Sequence, residues 1–299
     1  CRIFTLVVFF FFLMPMVYSM DKSEPGELVR ELPTLHCISM RWKIKGDQNK
    51  NAEIQVNYRK KGDTAWCRAY PMFRTMPNPH SSNRSGFHTV DNGWLFGGSI
   101  VDLLPDTEYE VKLHLRDPDG GDAEEKISMK TWKEPVMPSK MKVLHVAPGD
   151  GGGSGTQKDP IRGVSGMEKH ASPGTLFLIH KGTYKGFNVK NSGKPGQPVI
   201  YRSAGDGDVI LDGGGGGRIV YARKKKHIWF EGLIFQNTTY CITANSASNF
   251  VIRGCHFRKM TKGFNAEHGN QRRSQHHFIA DNIFEGPTKW PRTRGIEKY

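Results

Sequence analysis

His227-Ile-Trp-Phe-Glu-Gly-Leu-Ile-Phe235 recurs as Asn249-Phe-Val-Ile-Arg-Gly-Cys-His-Phe257 and again as His276-His-Phe-Ile-Ala-Asp-Asn-Ile-Phe284. Each copy is an apolar run, a polar or small pair, and a second apolar run closed by Phe. The closing Phe residues lie 22 and then 27 residues apart. A fixed period in the twenties, built of short β-branched and aromatic segments, marks stacked coils, because no single copy can bury its apolar face alone. The copies are too short and too rich in β-formers for a helical repeat, and they lack the Leu ladder of a leucine-rich repeat. The expected architecture is all-β, with parallel ladders joining successive coils and Phe235, Phe257 and Phe284 stacked inside. Ile234, His256 and Ile283 should then occupy the adjacent, opposite-facing positions.

Upstream, the phrases change character. Between 27 and 134, strands are expected at Ile38-Ser-Met-Arg-Trp-Lys-Ile44, Ala52-Glu-Ile-Gln-Val-Asn-Tyr58 and Tyr109-Glu-Val-Lys-Leu-His-Leu115. Their apolar/polar alternation is that of half-buried antiparallel strands, and Lys61-Gly-Asp63 and Asp117-Pro-Asp-Gly-Gly121 supply turns. About a hundred such residues make one sandwich. Leu104-Pro-Asp-Thr-Glu-Tyr109-Glu-Val111 resembles the tyrosine corner of fibronectin type III domains, and Trp42 stands where that family places its core tryptophan. The region from Pro71 to Trp94 departs from the pattern and is expected to be an enlarged loop. Residues 135–140, with two prolines, read as a short, stiff linker.

From 141 to 299 the chain carries Gly-Ser-Gly-Thr156, Pro173-Gly-Thr-Leu-Phe-Leu-Ile-His-Lys-Gly-Thr-Tyr184, Ser192-Gly-Lys-Pro-Gly-Gln-Pro-Val-Ile-Tyr201 and Val209-Ile-Leu-Asp-Gly213. In that order these phrases resemble the amino-terminal coils of the pectate-lyase-like right-handed parallel β-helix superfamily, including lyases of the chondroitinase B and alginate lyase type. The resemblance implies the fold. It includes no catalytic motif, so it implies a reaction class only through its members. Val199-Ile-Tyr201 is expected to stack on Phe177-Leu-Ile179. With about six or seven coils and no polar cap after Tyr299, the sequence reads as a piece of a longer solenoid.

The Gly-rich run at 149–155 lacks the Gly-Lys-Ser/Thr ending of a phosphate cradle, which argues against nucleotide binding. Residues 1–19 read as a signal peptide: one Arg, an apolar block short of a bilayer span, then Val17-Tyr18-Ser19. The protein is therefore expected to be secreted, or held at the cell surface or in a periplasm, with no span after cleavage. Beyond Cys1, the cysteines Cys37, Cys67, Cys241 and Cys255 form no CxxC pair, and Cys241 and Cys255 are expected as buried free thiols.

Charge points to the partner. The chain has net +14, and residues 218–299 hold 15 Lys plus Arg against 5 Asp plus Glu. Such a field favours a polyanion; with export expected and no nucleic-acid motif present, an acidic polysaccharide is the expected ligand and the protein a monomer. The five extra residues in the last spacing predict a loop over residues 258–273, on the binding face. It offers Lys259, Lys262 and His268 as catalytic candidates, with Glu267 as a further proton-transfer group. Arg253, Arg258, Arg272 and Arg273 are candidate substrate-binding residues, whereas Arg223-Lys-Lys-Lys226 reads as a solvated turn. Uronate β-elimination needs a base and a cation that stabilises the carboxylate charge, and the loop has both residue types. Calcium could supply the cation, with Asp206, Asp208 and Asp212 as possible ligands. A hydrolase would need paired carboxylates, and only Glu231, Asp281 and Glu285 lie near strand positions. The expected function is a polysaccharide lyase on a uronate polymer; the alternative is a non-catalytic glycan-binding or adhesion protein.

Overall fold

The computed structural model describes residues 21–75, 94–267 and 274–286. The chain is all-β and divides between Glu134 and Pro135 into two units.

Among its described residues the first unit holds eight strands: β1 (Glu24–Arg30), β2 (Ile38–Lys45), β3 (Glu53–Lys60), β4 (Cys67–Arg68), β5 (Phe73–Arg74), β6 (Leu95–Ile100), β7 (Glu108–Arg116) and β8 (Ala123–Lys130). They form two four-stranded antiparallel sheets, ordered β1-β2-β6-β5 and β4-β3-β7-β8. Alternation decides which face is buried: Ile38, Met40, Trp42 and Ile44 from β2 meet Val111, Leu113 and Leu115 from β7 in one core. The Leu104 amide donates to Tyr109 Oη at 2.9 Å, the back-bond that defines a tyrosine corner. Trp42 is fully buried and its Nε1–H donates to the Gly26 carbonyl at 3.2 Å. In the segment expected as one enlarged loop, Phe73–Arg74 pairs instead with β6, and residues 76–93 lie outside the described ones.

The second unit runs through β9 (Lys142–Ala147), β10 (Ile161–Arg162), α1 (Gly163–Met167), β11 (Thr175–Ile179), β12 (Gly182–Tyr184), β13 (Phe187–Asn188), β14 (Val199–Ser203), β15 (Val209–Tyr221), β16 (Ile228–Glu231), β17 (Ile234–Thr243), β18 (Val251–Arg253), β19 (His256–Asn265), β20 (Phe278–Ala280) and β21 (Ile283–Glu285). Every pairing between these strands is parallel. The chain alternates between a first sheet, ordered β10-β9-β11-β14-β16-β18-β20, and a second, ordered β12-β15-β17-β19-β21 with β13 also on β15.

The repeated phrase is one passage between two corners. Its first residue (His227, Asn249, His276) and its sixth (Gly232, Gly254, Asp281) all have positive φ, between 53° and 67°. The left-handed conformation reverses chain direction in one residue, which is why Gly, Asn, Asp and His recur there. A third such column, Gly215, Asn237 and Lys259, bends the second sheet partway along its strands. Between corners, inward residues stack on their own kind. Phe235, Phe257 and Phe284 pair in register with ring centroids 5.0 and 4.7 Å apart and planes within 7°. Ile234, His256 and Ile283 align beside them. On the first sheet, Phe177, Tyr201 and Phe230 make a second stack at 5.5 and 5.2 Å. Here the register is 24 residues, with Tyr201 rather than Val199 opposite Phe177.

Within residues 135–140, Met137, with Met141 beyond, packs on the outward apolar row Leu176, Ile200, Trp229 and Val251 of the first sheet. That row would otherwise face water, and flexible thioethers fill such irregular surfaces. One expectation needs correction: residues 258–273 do not form one loop. Pairing holds at 22 residues as far as Thr243 opposite Asn265, and is 27 where Ser248 bridges Gln275. The Asn245–Glu267 contacts keep the shorter spacing, so the five extra residues enter after Glu267.

Candidate functional site

A polar cleft of about 450 Å³ lies on the outward face of the second sheet, beyond its bend. Register builds it in rows across coils. Arg218 on β15 aligns with Tyr240 on β17, which aligns with Lys262 on β19. Tyr221, Thr243 and Asn265 form the next row, and Arg223, Asn245 and Glu267 follow them into the turns. Between the first two rows two successive residues pack in the core, Ile219 with Val220 and Cys241 with Ile242, so strict alternation is broken and both rows line the same side, with Thr243 and Asn265 themselves largely buried. The rings and cations pair up: the Arg218 guanidinium lies 4.8 Å from the Tyr221 ring centre and the Lys262 ammonium 5.3 Å from that of Tyr240. Asn245 Nδ2 donates to Glu267 Oε2 at 3.4 Å, and the Glu267 amide donates to Asn245 Oδ1 at 3.3 Å. Among the described residues Arg218, Arg223 and Lys262 take no ion pair.

Upstream in the same strands a separate polar ladder closes on itself. Asp212 accepts from Gln236 Nε2 at 2.7 Å, from the Gly214 amide at 2.7 Å and from Asn237 Nδ2 at 3.1 Å. The Gln236 and Gly214 bonds lead in holding its carboxyl below the usual range, with the Lys259 charge a smaller contribution. Arg258 Nε extends the ladder by donating to Gln236 Oε1 at 2.8 Å.

The residues expected to act together are therefore dispersed. Lys262 lies beside the cleft, over the ring of Tyr240, without lining it. Lys259 occupies a corner facing Asp212, Arg258 belongs to the ladder, and Arg253 is on the first sheet beside Glu231. His268, Arg272 and Arg273 lie outside the described residues. Conversely, Arg223, read as part of a solvated turn, lines the cleft, as do Arg218 and Tyr240, which carried no motif. Their signal was the 22-residue spacing of Arg218, Tyr240 and Lys262, visible only once the register was fixed.

The proposed calcium ligands do not converge. Asp206 serves His180 Nδ1 at 2.8 Å and the Lys181 amide at 3.0 Å, and Asp212 serves the ladder. Among the described residues no group of three or more His, Cys, Asp or Glu is placed to hold a metal ion. The carboxylates considered for hydrolysis are also engaged separately, Glu231 with Arg253 and Glu285 with His256, while Asp281 is a corner residue. Among the described residues no helix is long and apolar enough to cross a membrane.

No family model matches the chain. One stretch of 72 residues, 23% of the chain, is 33% identical to the uncharacterized protein YwoF of Bacillus subtilis (strain 168), and the match spans 15% of that protein's length. Among solved structures, a human fibronectin type III domain is similar at 13% identity and TM-score 0.25, covering 40% of this chain and 81% of the domain. The catalytic domain of a GH87 alpha-1,3-glucanase, solved with tetrasaccharides, is similar at 11% identity and TM-score 0.19, covering 90% and 63%. Similarities this low carry no argument about chemistry, which rests on the cleft itself.

Proposed function

We propose that the chain is a secreted carbohydrate-active protein whose second unit is a right-handed parallel β-helix that binds an acidic polysaccharide in this cleft. The observation that carries the reading is the row Arg218–Tyr240–Lys262: two cations and a ring, on three adjacent coils, turned out of a continuous parallel sheet. Strands in a ladder repeat every ~4.8 Å, so the row presents its groups at a spacing suited to successive sugars of one polymer. Tyr rings take the apolar faces of sugars, Asn245 and Thr243 offer hydrogen bonds, and Arg218 and Arg223 take carboxylates.

We further propose cleavage by β-elimination. A group at the cleft removes the proton beside the uronate carboxylate, the C–O bond to the next sugar breaks, and that oxygen leaves with a proton as the ring gains a double bond. Arg218 and Arg223 would hold the carboxylate as charge builds on it, and Lys262 with Tyr240 would serve the proton transfers. No step is assigned to calcium.

The test uses the full chain with polygalacturonate and alginate, following binding by calorimetry and product by the ultraviolet absorbance of the unsaturated sugar. Arg218→Ala with Arg223→Ala should weaken binding by about tenfold or more at low salt, and less at high salt, where exposed charges are screened over ~10 Å or less. Lys262→Ala should bind within about twofold of the parent and lose turnover. Binding without product would refute the lyase and leave the glycan-binding protein; no binding at low salt would refute both.

A further inference from the structure

A second cleft, of about 480 Å³, adjoins the first and shares Arg218 with it. It lies one coil toward the N-terminus, between β13 and the residues around α1; Ser165, Asn188 and Lys190 supply polar groups, and Glu168 also lines it, with both carboxyl oxygens engaged by Tyr201 Oη and the Lys190 amide. Asn188 pairs with Tyr221, so it extends the row Tyr221–Thr243–Asn265 by one coil. Two residues further along each coil stand Lys190, Arg223, Asn245 and Glu267. Read in chain order, that row passes from two cations through a neutral amide to a carboxylate.

Lys190 is not a loosely placed surface lysine. Its amide donates to Glu168 Oε2 at 2.8 Å, and its carbonyl accepts from Lys225 Nζ at 2.5 Å. Glu168 is itself buried, accepts from Tyr201 Oη at 2.5 Å through its other oxygen, and has its carboxyl raised above the usual range chiefly by burial. The backbone of Lys190 is thus clamped from both sides while its side chain stays exposed. Gly186 completes the floor: a Cβ there would sit 2.4 Å from the Ile219 carbonyl oxygen, so this part of the wall is bare backbone.

We propose that an acidic glycan occupying the Arg218–Arg223 cleft extends toward the N-terminal coils, placing a further carboxylate on Lys190, and not toward Glu267. This rests on the polysaccharide reading above and adds a direction and a subsite to it. Electrostatics favours the direction: the exposed Glu267 repels a carboxylate, whereas the next coil the other way adds Lys190, without an ion pair among the described residues, and its one carboxylate, Glu168, is buried with both oxygens hydrogen-bonded.

The experiment titrates the full chain with the disaccharide and the hexasaccharide of galacturonate. The disaccharide should respond to Arg223→Ala and stay within about twofold in Lys190→Ala. The hexasaccharide should lose about tenfold in Lys190→Ala, with Lys190→Arg restoring most of it. Glu267→Gln should weaken neither ligand. Equal effects of Lys190→Ala on both ligands, or no effect on the hexasaccharide, would overturn the extension while leaving the first cleft standing. If the parent binds neither ligand, the reading of the first cleft fails and the extension with it.

Discussion

Replacing Phe257 with Ala tests the architecture at its most loaded position. Phe257 is 0% exposed and its ring is covered on both faces, by Phe235 at 5.0 Å and Phe284 at 4.7 Å. Truncation of a buried Phe costs about 3–5 kcal/mol, combining lost transfer energy with the cavity left behind. Two stacked neighbours lose their partner at once, so the upper half of that range is expected. Phe284 supplies the internal control, because it is 50% exposed and has Phe257 on one face. Its truncation should cost about half as much or less. Hydrogen exchange read by mass spectrometry separates the two units, so protection in peptides covering 234–265 reports the second alone. Phe257→Ala should abolish most of that protection and leave peptides covering 108–130 unchanged. If Phe257→Ala and Phe284→Ala cost the same, or if Phe257→Ala costs less than about 1 kcal/mol, the stacked register is wrong.

Two further outcomes follow from buried titratable groups. Burial pushes the thiols of Cys241 and Cys255 up to about 12, so neither should react with an alkylating reagent at pH 8 until the chain is unfolded, whereas exposed Cys67 should react at once. Rapid native labelling of Cys255, read by peptide mapping, would contradict its placement. Burial, with a smaller contribution from His276, lowers the His277 imidazole from 6.5 to about 4. The unfolded chain therefore takes the proton first, and stability from this group is lost as pH falls from 6.5 toward 4. Urea unfolding at pH 7 and pH 4.5 should show His277→Asn less pH-sensitive than the parent across that window; identical pH dependence would contradict the burial of the ring.

What the sequence disclosed was the inward half of each coil. Phe, Ile and Val repeat because stacking constrains them, and the Gly, Asn, Asp and His at the corners repeat because left-handed φ constrains them. Outward residues answer to neither constraint. Arg218, Tyr240 and Lys262 differ in type, so no motif links them, and only a known register brings them into one row. The extra length near 258–273 suggested a loop of cations. Yet Arg258 and Lys262 continue the strand, because insertion after Glu267 leaves the ladder before it intact. Met137 escaped notice for a different reason: a methionine between two prolines resembles a spacer, and its partners Leu176 and Trp229 are distant in sequence.

The extra length after Glu267 has a consequence for how such a site can change. Register is 22 residues before it and 27 after it, yet Phe257 still meets Phe284 face to face and Ile252 still meets Ile279. Chain length after Glu267 is thus a free variable, uncoupled from the ladder on either side and adjacent to a cleft residue. Selection can add, remove or recharge residues there, and so alter what the proposed glycan would meet beyond Glu267, without reopening the question of how the protein folds.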